Sequence, residues 1–523
     1  MEPLLLNFSV VLSILFFPYG LNFYYLMRRA EEYKLPKVES RKKPPVTVQL
    51  PVFNERYVVE RLVNACVQMA DNYGRDLVQI LILDDSTDDT TIISEQAARK
   101  YRSLGYDIDM IHRDNRLGFK AGALQNALKY TKYQFMAIFD ADFIPPKDFL
   151  GKTMPYFEDP RLALAQCRWT HLNRDYNFLT KAIAIGYDGH HIIEQAGRCA
   201  GGFLMNFNGS AGIIRREALE EAGGWEADTL AEDLDASYRI QLQGWKAIYI
   251  RSINCPAEVP PTVPSMKRQQ SRWACGSIRT FRKLSPRILA KKSLSLGQKI
   301  QGLIHLSYYA VHPLMFMAFA VALVAAFLDI RLVKLATLAF PEPRIAPDIP
   351  TWLNFIPYLQ ILVQSAWDYF ISMPHWIVLN AAIFFCAISM WVFYAKALRL
   401  QGIRVRSQAK ALAALGLVGF GISLSNTVAV VRGLIGGGPG IFARTPKYKI
   451  EKQSDTWKDK KYQVAVDKII ALEIALAIVG IVAMVVAYFK MNLGIIPILL
   501  LYTVAYSFIA GANITQGRRE LST

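Results

Sequence analysis

Acidic residues are in short supply: 60 Lys and Arg face 43 Asp and Glu, leaving a formal net charge of +17 over 523 residues. A nucleic-acid surface is nevertheless not expected, because much of the surplus flanks apolar segments. It sits at Arg28, Arg29, Arg41, Lys42 and Lys43, and again at Lys396, Arg399, Arg404, Arg406 and Lys410. Cations so placed fit the positive-inside rule and attraction to anionic lipid. Paired cysteines are also lacking. The six (Cys66, Cys167, Cys199, Cys255, Cys275, Cys386) show no metal-type spacing, and Cys386 lies within an apolar run. They are read as reduced thiols in cytosolic or membrane surroundings, which excludes a disulfide framework. The first apolar run, residues 3–27, has no Lys or Arg before it and no A-x-A site after it. That argues against a cleaved signal peptide and for a signal-anchor helix with Arg28 and Arg29 in the cytosol.

What the chain has in plenty is apolar residues, 52% of the total, unevenly spread. Residues 44–290 carry charges and short α/β patterns. Runs elsewhere are long enough to span ~30 Å of hydrocarbon. The class is an integral membrane protein with a large soluble α/β domain. Spans are expected at 3–27, 303–328, 374–398, 469–489 and 493–509, after an amphipathic stretch at 293–303. The 396–410 loop, with five Lys or Arg and no acid, belongs in the cytosol. Residues 353–372, broken by Pro357 and Asp368, are then interfacial. Residues 411–435 have basic ends on both sides and read as a cytosolic interface or re-entrant helix. Nothing after residue 520 resembles a regulatory domain.

Inside the soluble region, Val46–Pro51, Val78–Leu83, Ile108–His112 and Phe135–Phe139 read as short buried strands. Glu60–Met69, Ile92–Tyr101 and Ala121–Tyr130 read as the helices between them. This rhythm predicts an open, mostly parallel sheet. Ligands of such sheets lie beyond the carboxyl ends of the strands. Asp84 and Asp85 follow one strand, Asp140 and Asp142 another. Two carboxylates one residue apart can converge on a hard divalent cation, Mg²⁺ or Mn²⁺. A single D-x-D is usually a solvated turn, and two acidic strand ends make that reading weaker. Glu232, Asp233 and Asp235 offer a general base or, equally, ordinary helix N-terminal charge. Asn208, Gly209, Ser210 and Gly212 mark a tight backbone approach, and Lys120 could pair with phosphate. Gln269 and Arg272 could clamp a diphosphate, while Trp273 could stack on a sugar ring.

In this order, Asp84-Asp85, Asp140-Ala-Asp142, Glu232-Asp233 and Gln269-x-x-Arg272-Trp273 resemble the signature of membrane-embedded processive family 2 glycosyltransferases, the cellulose synthase superfamily. The phrases TVQLPVFNE, LDDSTDDT, RDNRLGFKAGAL, FNGSAG and QQSRW are similar to those of the plant cellulose synthase-like mannan and glucan synthases. The likeness is dense over residues 46–285. It implies a membrane helix at 1–30, a cytosolic GT-A domain at 44–290, and a channel region at 291–523 with a gating loop at 440–449. Glu55, Asp84 and Asp85 would lie near the nucleoside, Asp140 and Lys120 near the diphosphate, and Asp140 and Asp142 at the metal. Asp233, with Glu232 beside it, would deprotonate the acceptor hydroxyl and invert the anomeric carbon. Trp273 would hold the acceptor, with Asn208, Gly209 and Ser210 nearby and Gln269 and Arg272 toward the donor. Phe442, Thr445 and Lys447 of IFARTPK would close over the nucleotide, with Arg444 standing where the family has Val. The implied partners are a nucleotide-diphosphate sugar, GDP-mannose or UDP-glucose, a growing polysaccharide, and the bilayer of a plasma membrane.

Two other functions compete. One is transfer of a single sugar to a lipid acceptor, although such enzymes usually lack Q-x-x-R-W. The other is a transporter or lipid-binding protein with an inactive domain, which the complete carboxylate set disfavours.

Overall fold

The computed structural model describes residues 2–40, 42–330, 374–436 and 444–517. The chain opens with a 31-residue helix, α1 (Glu2–Glu32). The first half of the soluble domain is β1 (Val46–Val52), α2 (Val59–Tyr73), β2 (Val78–Asp84), α3 (Thr90–Ser103), β3 (Asp107–His112), α4 (Phe119–Ala127) and β4 (Phe135–Ile138). The second half is α5 (Phe149–Thr153), β5 (Leu162–His171), α6 (Phe178–Asp188), α7 (Gln195–Ala200), β6 (Gly212–Arg215), α8 (Arg216–Glu221), α9 (Glu232–Leu242) and β7 (Lys246–Ala257). A π-helical turn, Gly189–Glu194, joins α6 to α7.

Seven strands form one sheet in the order β3-β2-β1-β4-β6-β5-β7. The β1–β2, β2–β3 and β1–β4 pairs are parallel, as the alternation of strands and helices predicts. The departure is β6, which runs antiparallel to both β4 and β5. Its four residues, GIIR, are too few to carry a periodic signal. The β-branched central strands have helices on both sides, so both of their faces are buried. Val46, Val48 and Leu50 pack with Leu62, Val63 and Cys66 of α2. On the other face, Leu81 and Leu83 pack with Leu124 of α4 and Ile240 of α9.

Helices α10 (Val263–Ala290) and α11 (Leu296–Leu306) lead to α12 (Val311–Phe327), α13 (Pro374–Leu400), α14 (Ala409–Gly421), α15 (Ser423–Ile435), α16 (Ile470–Phe489) and α17 (Ile496–Gln516). Among the described residues, four segments are long and apolar enough to cross a membrane: Asn7–Glu32, Tyr308–Phe327, Ile470–Phe489 and Leu493–Gln516. These are four of the five expected spans, and the fifth expected segment forms the helix α13. The second span starts later than Leu303, because a Ser295–Gln298 capping box starts α11 and that helix runs to Leu306. The expected 411–435 helix is two, α14 and α15, in a pair bent by 47°. Residues 353–372 lie outside the described residues. Two close approaches lock the halves together. A Cβ at Gly433 of α15 would lie 2.9 Å from the Cys275 carbonyl of α10, and one at Gly197 of α7 would lie 2.6 Å from the Leu26 carbonyl of α1.

Candidate active site

The acidic residues at the strand ends occupy one mouth, each tied to a different element. Asp84 is the last residue of β2, and its Oδ2 accepts a bond from the Thr91 hydroxyl at 2.7 Å and lies 2.7 Å from His112 Nδ1. Asp85 accepts two bonds from Arg113, from Nε at 2.7 Å and Nη2 at 2.5 Å. That bidentate geometry fixes the turn after β2.

Asp140 follows β4 by two residues. Its amide donates to Ser210 Oγ at 3.0 Å, and its Oδ1 accepts from Lys120 Nζ at 2.6 Å. Lys120 also donates to the Gly209 carbonyl at 2.8 Å. Gly209 has φ +78°, and a Cβ there would lie 2.6 Å from Asp233 Oδ2. Both the left-handed backbone and the missing side chain are therefore used: the Asn208-Gly209-Ser210 turn passes between Asp140 and Asp233 with no room to spare. Asp233 is the second residue of α9. Burial, and then the charge of Glu232, push its carboxyl up to about 7, with Lys120 offsetting only part.

Asp142 is buried, and its Oδ2 accepts from Lys447 Nζ at 2.7 Å and from the Glu258 amide at 3.0 Å. Lys447 thus reaches the strand ends from 305 residues away in sequence. Glu258 in turn accepts from Arg61 Nη2 at 2.9 Å and from the Tyr448 amide at 3.2 Å. Arg444 Nη1 lies 3.2 Å from Glu55 Oε1. Burial raises the Glu55 carboxyl to about 8, against the pull of Arg444 and Lys447. Thr445 is buried beside them, and Phe442 lies outside the described residues.

Gln269, Arg272 and Trp273 stand at i, i+3 and i+4 on α10 and so share a face. Gln269 accepts a hydrogen bond from the Tyr187 hydroxyl, and the Trp273 ring lies 5.6 Å from the Tyr187 ring. The side chain of Gln269 is thus placed with the aromatic pair. A cavity of about 380 Å³ begins here. Asp233, Asn208, Tyr187 and Trp273 line it together with His312 of α12 and Phe393 of α13.

Two groups escaped the reading of the sequence. Glu258 follows β7 directly, the same strand-end placement that singled out Asp84, and could have been found by that rule. His190 and Glu194 project from the π-helical turn, a feature with no sequence signature here. His190 Nδ1 lies 2.7 Å from Glu194 Oε2 and its Nε2 lies 3.3 Å from Asn208 Oδ1. Burial acts to raise the Glu194 carboxyl, yet His190, His305 and Arg198 outweigh it and bring it down to about 2.

Three other carboxylates converge, those of Glu226, Asp228 and Asp235. Lys283 Nζ sits among them at 2.5, 2.9 and 3.0 Å, so they form an ion cluster that holds α10 against α9. Asp140 and Asp142 are better suited to a divalent cation. Each offers hard oxygen, and each has only one oxygen paired with a lysine.

Residues 135–329 match the family described as glycosyl transferase family group 2. The chain is 37% identical over 328 residues to glucomannan 4-beta-mannosyltransferase 9 of Arabidopsis thaliana, covering 62% of this chain and 59% of that one. It is 32% identical over 329 residues to probable glucomannan 4-beta-mannosyltransferase 11 of the same plant, covering 71% of that protein. The chain spans about three fifths of the length of most of these curated relatives. Among solved structures, a mannosyltransferase from Pyrobaculum calidifontis in complex with GDP-Man and Mn²⁺ aligns with 74% of this chain. That alignment has 21% identity and a TM-score of 0.48. The mixed sheet with helices on both faces is the layout of a GT-A domain.

Proposed function

We infer, from the premise that the chain belongs to glycosyl transferase family group 2, that it is a processive inverting hexosyltransferase. In this reading it builds a β-linked mannan, glucomannan or glucan from GDP-mannose or UDP-glucose and passes the product into the membrane. The observation that carries the reading is the continuity of the cavity. One space runs from the Asp233 carboxylate past Trp273 to the walls of α12 and α13. Trp273 and Tyr187 at the mouth of that route offer stacking faces for a sugar ring, which suits a sugar chain more than a lipid acceptor. The names of the curated relatives favour mannose.

Asp233 takes the proton from the acceptor hydroxyl. A carboxyl poised near 7 is a better base at neutral pH than an ordinary aspartate and is still ionised often enough to act. Trp273 and Tyr187 supply apolar faces for the acceptor ring, and Gln269 fixes the Tyr187 hydroxyl. Lys120 joins the donor-side Asp140 to the Gly209 turn beneath the base, holding donor and acceptor sides in register. Asp140 and Asp142 would hold Mg²⁺ or Mn²⁺, which supplies charge neutralisation for a departing diphosphate. Residues 44–290 form the catalytic unit, on the cytosolic side of a plasma membrane, and the described part of the 440–449 segment covers it.

The test is synthesis by the purified full chain in detergent, with Mn²⁺ or Mg²⁺ and labelled GDP-mannose or UDP-glucose. A polymer that a β-specific hydrolase degrades supports the reading. A labelled lipid carrying one sugar sinks processivity.

A further inference from the structure

Buried polar groups in folded proteins are almost always paired, so a cluster that is not paired marks a place built for something else. Such a cluster lies under the segment that follows residue 443. Arg444 Nη1 and Nη2, Thr445 Oγ1 and Glu55 Oε2 are all inaccessible, and none has a hydrogen-bond partner among the described residues. Arg444 is held in place nonetheless. Its guanidinium lies 4.0 Å from the centre of the Tyr462 ring, and Tyr462 in turn donates to Asp88 in the loop after β2. Three residues on, Lys447 sits on Asp142. Arg444 therefore stands between the strand-end loop of β2 and the Asp140-Ala-Asp142 turn. Its fork of donors is stacked on a ring, close to one carboxylate, and without a hydrogen-bond partner among the described residues.

We propose that Arg444 is a diphosphate ligand, gripping the anionic oxygens of the donor's nucleoside diphosphate with both terminal nitrogens. The inference rests on the transferase reading above and names a residue that the family pattern, with Val at this position, does not assign. A guanidinium suits this task because its planar donors match two oxygens at once, where Lys447 offers a point charge. Glu55 Oε1 lies 3.2 Å from Arg444 Nη1 and occupies at most one side of the fork. Burial holds the Glu55 carboxyl up, against the pull of Arg444 and Lys447. Stacking on Tyr462 adds a wall without competing for the donors. Lys120, Lys447 and Arg444 then approach the donor from three sides, one from α4 and two from the segment after α15.

The experiment is calorimetric binding to the full chain in detergent with Mg²⁺, using GDP and UDP alongside guanosine and uridine. Arg444→Val is expected to weaken the better diphosphate at least tenfold while changing the matching nucleoside less than twofold. Arg444→Lys, which keeps charge but not the fork, should recover part of the loss. An Arg444→Val chain that binds the diphosphate as tightly as wild type overturns the proposal. So does equal weakening of nucleoside and diphosphate, which would make Arg444 a structural or base-side group. Wild-type protein that binds neither GDP nor UDP removes the transferase reading itself, and the proposal with it. A thermal melt of each variant separates lost binding from lost folding.

Discussion

At the scale of single residues, the site depends on drawing carboxylates partly out of water. Asp233 shows the cost and the use of this. Desolvation disfavours its charged form, so the folded-state pKa stands above the unfolded value. The sign follows: stability from the protonated group is fully present below pH ~4 and is lost as pH rises through about 7. The proposed mechanism needs the opposite state, the ionised base. Asp233→Asn should therefore be inactive, by 10²-fold or more, yet melt at a higher temperature than wild type at pH 8. That gain should shrink on lowering the pH to 5. For the wild type, kcat/KM for polymer formation should rise with pH and level off above about 7. Full activity in Asp233→Asn would remove it from the role of base.

Elements decide how these residues are held, and α10 has the largest part. It carries Gln269, Arg272 and Trp273, crosses α15 at Gly433, and buries Lys267 against the end of a candidate span. Lys267 Nζ donates to Glu473 Oε1 at 2.7 Å and lies 2.7 Å from Asp467 Oδ2. Lys267 and Glu473 are both buried. Removing one partner of a buried pair leaves a charge uncompensated, at about 3–5 kcal/mol, while replacing both by apolar groups is often neutral. Lys267→Met should therefore lower the melting temperature in detergent markedly, and Lys267→Met with Glu473→Met should restore most of it. If the double variant is as unstable as the single, the pair is not what ties α10 to α16. The π-helical turn is the other decisive element, since its extra residue turns His190 and Glu194 toward the cavity beside Asn208.

Across the whole molecule, the sheet domain and the helices share contacts that bring parts of both onto one face. Arg168 of β5 donates to Gln401 just after α13, and Lys396 pairs with Glu31 at the end of α1. The basic 396–410 loop thus lies on the face that carries the sheet. With single cysteines introduced at Gln408 and Gln453 of a cysteine-free chain, an impermeant thiol reagent should label both or neither in sealed vesicles of one orientation. Labelling of only one would break the shared sidedness of the loop and the segment after Arg444.

The amino-acid order by itself determined the α/β sheet domain, four candidate membrane spans and the parallel half of the sheet. It also marked the acidic strand ends, because hydrophobic period, length and charge bias are local properties. It ranked Asp84, Asp140, Asp233 and Trp273 as one set only through their likeness to a family. Tertiary structure alone decided that Lys447 meets Asp142, that Arg444 meets Glu55, and that β6 runs antiparallel between β4 and β5. It also decided that the long 411–435 run breaks into a bent pair. These depend on which distant surfaces come together when apolar area is buried, and no window of sequence contains that information.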